Sequence, residues 1–230
     1  MSNPAEAFDA VVLAGGRAAR LGGVDKPALR VGEHSLLGSV VGAAAGAGAR
    51  LVVVVGSARQ ELAAELGELR TVREDPPGGG PVPALRRGLA ELESPEPHPR
   101  VLESPEPPPT VLESPEPRPT AAGSPWVAVL AADLPFLRAE HLLSLLASAR
   151  KAGVAGAVLA DDAGHPQWLV GCWRTPVLRE AIAGYRGGSL RGLLRPLRPA
   201  VLAPPHDRGK PPPWLDCDTA DDVRTARRLV

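Results

Sequence analysis

The sequence predicts an α/β fold, doubly wound about a mostly parallel sheet. Three observations carry this. Short β-branched runs such as "FDAVVLAG" and "RLVVVVG" lack the alternation of a half-exposed strand and read as strands buried on both faces. Segments with apolar residues at helical spacing lie between them, so strand and helix alternate along the chain. A length of 230 residues suits one domain with a sizeable core.

Each element follows in order. The first strand ends at Gly15 and Gly16. "SLLGSVVGAAAG" places Leu36, Leu37, Val40, Val41 and Ala44 on one helical face, with Ser35 as N-cap. "RLVVVVG" is the next strand, "SARQELAAEL" a second helix, and "LRTVRED" a short segment after it. In "GGGPVPALRRGLAEL" a glycine turn opens a third helix, with Pro83 in the first turn, where proline is tolerated. "WVAVLAAD" is a clear strand, and "RAEHLLSLLASARKAG" a helix ending at Gly153. "GAVLA" and "QWLVGCW" are shorter strands, followed by helices in "TPVLREAIAGY" and "SLRGLLRPL". The last helix begins at Thr219 in "TADDVRTARRLV", with acidic residues in its first turn as the helix dipole prefers.

One stretch departs from the alternation. Residues 92–121 repeat a ten-residue unit three times: "LESPEPHPRV", "LESPEPPPTV", "LESPEPRPTA". Proline at this density removes backbone donors and favours polyproline II. A ligand for a partner's PxxP-binding groove is one reading, and a disordered insertion within a single domain spanning 1–230 is the other. Composition favours the insertion, which is not expected to carry chemistry.

Composition excludes several classes. Basic and acidic residues number 26 each, so no net field favours nucleic acid or an anionic membrane. Aromatics are 3% of the chain, too few for a base-stacking surface. The opening "MSNPAEAFDAVVLAGG" has no basic n-region and is not read as a signal peptide. The apolar region near residues 40–56 is interrupted by Arg50 and reads as helix, turn and strand rather than a span. Cys172 and Cys217 stand far apart without CxxC spacing, which fits a reducing, cytoplasmic setting. His34, His98, His141, His165 and His206 form no i, i+4 or HxH pair, so a zinc site is not expected.

The chemistry points to "VVLAGGRAARLGGVDKPAL", residues 11–29. Paired glycines at a strand end let successive N–H groups approach an anion, and Arg17, Arg20 and Lys26 follow closely. Lys26 lies between Asp25 and Pro27, so this is no GxxxxGK[ST] loop, and the spacing also fails GxGxxG.

"LAGGRAARLGGVDK" resembles the signature LAGGxxxRxGxxDK of the nucleotidyltransferases typified by molybdenum cofactor guanylyltransferase. The likeness continues in order. "REDPPGGGPVPALRRGL" resembles that family's Asp-then-GPLAGL segment, "LAADLPFL" its (A/C)DxPFL strand end, "QWLVGCWR" its QPLxGxYR strand and "LDCDTADDV" its NxNTPEDL close. The resemblance implies a Rossmann-like nucleotidyltransferase fold covering nearly all the chain outside the repeats.

It also implies roles. Leu13, Ala14, Gly15 and Gly16 would line the base and phosphates of a nucleoside triphosphate through backbone groups. Arg20 and Lys26 would neutralise the triphosphate as pyrophosphate leaves. Asp75 would bind nucleotide, while Gly79, Gly80 and Pro81 aim a helix N-terminus at it. Asp133, at the end of an apolar strand where α/β sheets place ligand groups, reads as a Mg2+ ligand shared with the phosphates or as a cap for the following "LPFL", and the resemblance favours the metal. Asp218 stands where the family usually has asparagine and reads either as a second Mg2+ ligand or as the N-cap of the last helix. Trp168 replaces the family's proline after glutamine, and is read as stacking on the acceptor or packing in the core. Arg17 falls at a variable position and is read as solvated.

The expected reaction is transfer of GMP from GTP to the phosphate of molybdopterin, with Mg2+ as cofactor and without nucleic acid or membrane partners. Gly15 keeps LAGG, where relatives using CTP more often read LAAG. The rivals are transfer of CMP or another nucleotide to molybdopterin, a sugar phosphate or phospholactate, and a non-catalytic nucleotide-binding protein that docks partners through the repeats.

Overall fold

A computed structural model describes residues 7–15, 25–56, 69–75, 77–94, 124–203 and 210–230. Its centre is a seven-stranded sheet in the order β5-β4-β1-β6-β8-β7-β9. The strands are β1 (Phe8–Leu13), β4 (Val52–Val55), β5 (Leu69–Val72), β6 (Trp126–Ala131), β7 (Gly156–Ala160), β8 (Pro166–Arg174) and β9 (Ala200–Leu202). All neighbours pair in parallel except β8, which runs antiparallel to both β6 and β7. The sheet is therefore mostly parallel, as the unalternating valine runs require. Two elements were not legible in the sequence: β9, three residues long, and a small hairpin of β2 (Arg30–Val31) and β3 (His34–Ser35) turning through Gly32.

Period-two alternation in the central strands builds a core on each face. Ala10 and Val12 of β1 join Val52, Val54, Ala128 and Leu130 under α1 (Leu36–Gly46) and α3 (Ala139–Ala152). Val11 and Leu13 point the other way, with Val53, Val55, Val127 and Val129. That face is covered by α2 (Pro81–Glu91), α4 (Thr175–Gly184) and α5 (Leu190–Leu194). Gly88 lets α2 lie directly on the sheet: a Cβ there would run into Val11 and Val55. A third cluster seats α6 (Ala220–Arg228) on the hairpin region through Val31, Leu36, Phe136, Cys217, Val223 and Ala226.

The helix ends follow their sequence signals. Ser35 caps α1, its Oγ accepting from Gly38 N at 3.0 Å. Gly153 closes α3 in the left-handed region with φ 65°. Gly80, with φ 93°, is the N-cap of α2, and Pro81 follows where no intrahelical donor is needed. The helix expected in "SARQELAAEL" and residues 95–121 of the repeat lie outside the described residues. Leu92–Ser94, the start of the first repeat unit, form a turn that continues from the end of α2: their N–H groups bond back to Gly88, Ala90 and Glu91 respectively, and Leu92 is buried.

Where the chain returns after the repeats, a buried carboxylate ties it down. Asp9 is 1% exposed and accepts from Ser124 N at 3.1 Å, Arg50 Nε at 3.1 Å and the terminal Arg50 nitrogen at 3.0 Å. Asp9→Ala is expected to lower unfolding free energy by about 2–3 kcal/mol, because it strands a buried N–H and removes charged hydrogen bonds. Urea titration measures it; a loss under about 0.5 kcal/mol would contradict this account.

Candidate active site

Strand order determines where the site lies. From β1 the chain steps outward to β4 and β5, then returns through α2 to β6 on the opposite side of β1. The reversal opens a crevice at the C-terminal ends of β1 and β6, the topological switch point where open α/β sheets bind ligands. Leu13 is in register with Ala131, and Ala132 N donates to Leu13 O at 3.2 Å. The residues that follow, Ala14–Gly15 and Asp133, therefore emerge side by side.

Lys26 reaches this crevice from a separate turn. The 3-10 turn Lys26–Ala28 is shaped by Pro27, and Leu29 beyond it accepts from Leu36 N at 2.8 Å, so the turn is fastened to the start of α1. Lys26 Nζ donates to Asp133 Oδ2 at 2.5 Å and to Asp218 Oδ1 at 2.6 Å, joining residues 107 and 192 positions apart. Lys26 and Asp133 side chains are about one-fifth exposed, at 19% and 20%, whereas Asp218 is half exposed. Asp218 arrives because the C-terminal segment docks on the strand end, Cys217 N donating to Asp133 O at 3.2 Å. The sequence left Asp218 open as a helix cap. That role belongs to Thr219, whose hydroxyl accepts from Asp222 N while the Asp222 carboxylate accepts from Thr219 N.

Charge is balanced unevenly. Burial alone pulls the Lys26 ammonium down, but hydrogen bonds and attraction from Asp133 and Asp218 outweigh it and raise its pKa above the ordinary 10.5. Asp216, two residues before Asp218, is raised by desolvation and then by repulsion from Asp218 and Asp133. The Cys217 thiol is pushed up to about 12, first by burial and then by Asp133 and Asp222. Burial does the same to Cys172. Both cysteines are free and buried, and neither has the thiolate character of a nucleophile.

Leu13 is buried at the strand end, and Ala14 N donates to Val55 O at 2.8 Å. Gly15 is exposed, and the Glu74 carboxylate lies where a Cβ on Gly15 would stand. Asp75 is exposed in the segment leading to α2, whose N-terminus carries Gly80. Gly16, Arg17 and Arg20 lie outside the described residues. Trp168 is half-buried and packs against the core on the face covered by α2, α4 and α5, nearer to the packing role than to an open stacking platform. Its neighbour Gln167 is engaged in the β7–β8 hairpin, donating to Asp161 Oδ2 at 3.2 Å. His141 accepts from Arg138 N through Nδ1 at 3.0 Å, and its pKa is lowered by burial, so it is a neutral capping group rather than a ligand.

Sequence reading missed Glu74 and Asp216. Both had a signal: Glu74 adjoins Asp75 in "RED", and the D-x-D spacing of "DCD" turns two carboxylates of an extended segment the same way.

Solved structures share this architecture. A nucleotidyl transferase from Methanothermobacter thermautotrophicus aligns with TM-score 0.64 and 20% identity over 96% of each chain. Molybdopterin-guanine dinucleotide biosynthesis protein A from Archaeoglobus fulgidus aligns with TM-score 0.60 and 15% identity, over 96% of this chain and 97% of that one. The 2-C-methyl-D-erythritol 4-phosphate cytidylyltransferase from Thermus thermophilus gives TM-score 0.60 and 17% identity, over 97% of this chain and 98% of that one. At such identities the likeness establishes the fold alone. Residues 10–201 match the family described as MobA-like NTP transferase domain, and the chain belongs to that family. No curated protein sequence matches it. Among the described residues, no helix is long and apolar enough to cross a membrane.

Proposed function

We propose that this nucleotidyltransferase moves GMP from GTP to the phosphate of a molybdopterin-type acceptor. The observation that carries the reading is the Lys26 ammonium shared by Asp133 and Asp218 at the switch point. An acceptor phosphate oxygen bonds to the α-phosphorus as the bond to the β-phosphate bridging oxygen breaks, and pyrophosphate departs. The acceptor is already ionised at neutral pH, so the site needs no strong general base. Positioning and charge stabilisation dominate.

The donor set suits Mg2+. Two aspartate oxygens already converge on one cationic centre, and Mg2+ is bound through one or two carboxylates completed by substrate phosphates and water. Asp133 and Asp218 would hold it, and when bound it would neutralise charge on the departing pyrophosphate. Lys26, together with Arg20, would balance the triphosphate. Leu13, Ala14, Gly15 and Gly16 would present backbone groups to base and phosphates, and Asp75 and the Gly80 turn would contact the nucleotide. A cytoplasmic location fits two buried free cysteines.

Gly15 provides a test of backbone approach. Only the far end of the Glu74 side chain opposes a Cβ there, so Gly15→Ala should change stability by less than about 0.5 kcal/mol. Nucleotide affinity should nevertheless fall about tenfold, the loss of one charge-assisted contact. Thermal melts and titration with GTP separate the two effects; unchanged affinity would remove Gly15 from the site.

A cytidylyl reading is supported by the cytidylyltransferase among the structural neighbours. Mg2+-dependent binding of GTP, CTP and UTP, followed by mass spectrometry of the product formed with molybdopterin, decides between them. Preference for CTP would overturn the donor assignment, and no adduct with any nucleotide would overturn the acceptor.

A further inference from the structure

The arginine-rich segment before β9 takes no part in the strand-end site. Helix α5 buries Leu190, Leu193 and Leu194 against the sheet. Helical spacing then turns Arg191, Arg195 and Arg198 outward as one stripe. The stripe continues from α5 through the 3-10 turn Arg195–Leu197 to Arg198, which stands in the left-handed region at φ 48° and ψ 58°. With Ser189, Gly192 and Pro196 the three arginines line an open cleft of about 680 Å3. All three are exposed, and no carboxylate pairs with them among the described residues.

The longest regularly spaced series of glutamates is the repeat, with Glu93, Glu96, Glu103, Glu106, Glu113 and Glu116. It leaves the fold on the same layer. Arg179 of α4 donates to Leu89 O at 3.0 Å and pairs with Glu93, the first glutamate of the first unit. The same helix α4 packs against α5. One repeat glutamate thus already sits on an arginine of this face.

We propose that residues 95–121 dock in cis on the Arg191–Arg195–Arg198 cleft, glutamate against guanidinium. In the extended left-handed helix that such proline density favours, two glutamates three residues apart would share a face at about 9 Å. The stripe from Arg191 to Arg198 spans about 12 Å along its axis, a difference that long arginine side chains absorb. Each exposed pair is weak by itself. The covalent tether offsets this by raising the local concentration to the order of millimolar.

Arginine footprinting of the intact chain at low salt tests the docking, with phenylglyoxal as the probe and mass spectrometry as the readout. Replacing Glu96, Glu103, Glu106, Glu113 and Glu116 by glutamine alters no residue of the described fold. It should raise labelling of Arg191, Arg195 and Arg198 about threefold or more, as should high salt on the unaltered chain. Arg228 of α6 should not change. Equal labelling of the cleft arginines in both chains overturns the proposal. So does labelling of the unaltered chain that rises on dilution, since the occupant would then be a second copy.

Discussion

Asp133→Asn is expected to lower nucleotidyl transfer by about three orders of magnitude while leaving the fold in place. The fold survives because the side chain keeps its shape and the backbone carbonyl still accepts from Cys217 N. What is lost is the anionic charge at the end of β6, one of two that face the same cationic point. In the proposed function, holding a divalent cation and its phosphates there would contribute several kcal/mol to the transition state, and each ~1.4 kcal/mol is tenfold in rate. Pyrophosphate release at saturating nucleotide and Mg2+ measures the effect, with a thermal melt as control. Turnover within about tenfold of the parent chain would remove Asp133 from the chemistry.

If Lys26 neutralises the triphosphate as proposed, Lys26→Met should reduce turnover by about two to three orders of magnitude, the usual consequence of deleting one preorganised charge. It should also leave a pH signature that a bystander would not. The Lys26 pKa is raised in the folded protein, so the pair's contribution to stability is complete below pH 10.5 and lost as pH rises through the elevated value. The parent chain should therefore lose stability on this alkaline limb, and Lys26→Met should lack that component. Urea titrations between about pH 7 and about pH 11, read as the difference between the two chains, test this limb. Identical profiles would mean that Lys26 is not paired as the structure has it.

These expectations rest on a geometry that only partly shows in the sequence. Local signals were sufficient where one short segment dictates its own state. The valine runs specified strands buried on both faces, Ser35 and Thr219 marked their helix starts, and Gly153 a helix end. The antiparallel course of β8 was not legible, since its run of apolar residues is the same read in either direction. Nor was β9, which has three residues and exists because it pairs with β7.

The candidate site divides along the same line. Motif likeness identified Lys26, Asp133 and Asp218 as residues of interest, because each lies in a short segment whose residue types are distinctive. Their meeting was decided by tertiary structure. The strand order places the ends of β1 and β6 together, and Cys217 bonding to Asp133 draws in a segment from the far end of the chain. Asp218 illustrates the difference most clearly: residue type allowed a cap or a ligand, and Thr219 took the cap. Sequence by itself determined the elements and the chemical character of the site, since propensity, capping and charge are properties of a few neighbouring residues. Which charges share one cation was decided by the packed fold, because contact across 107 or 192 residues depends on sheet order rather than on spacing along the chain.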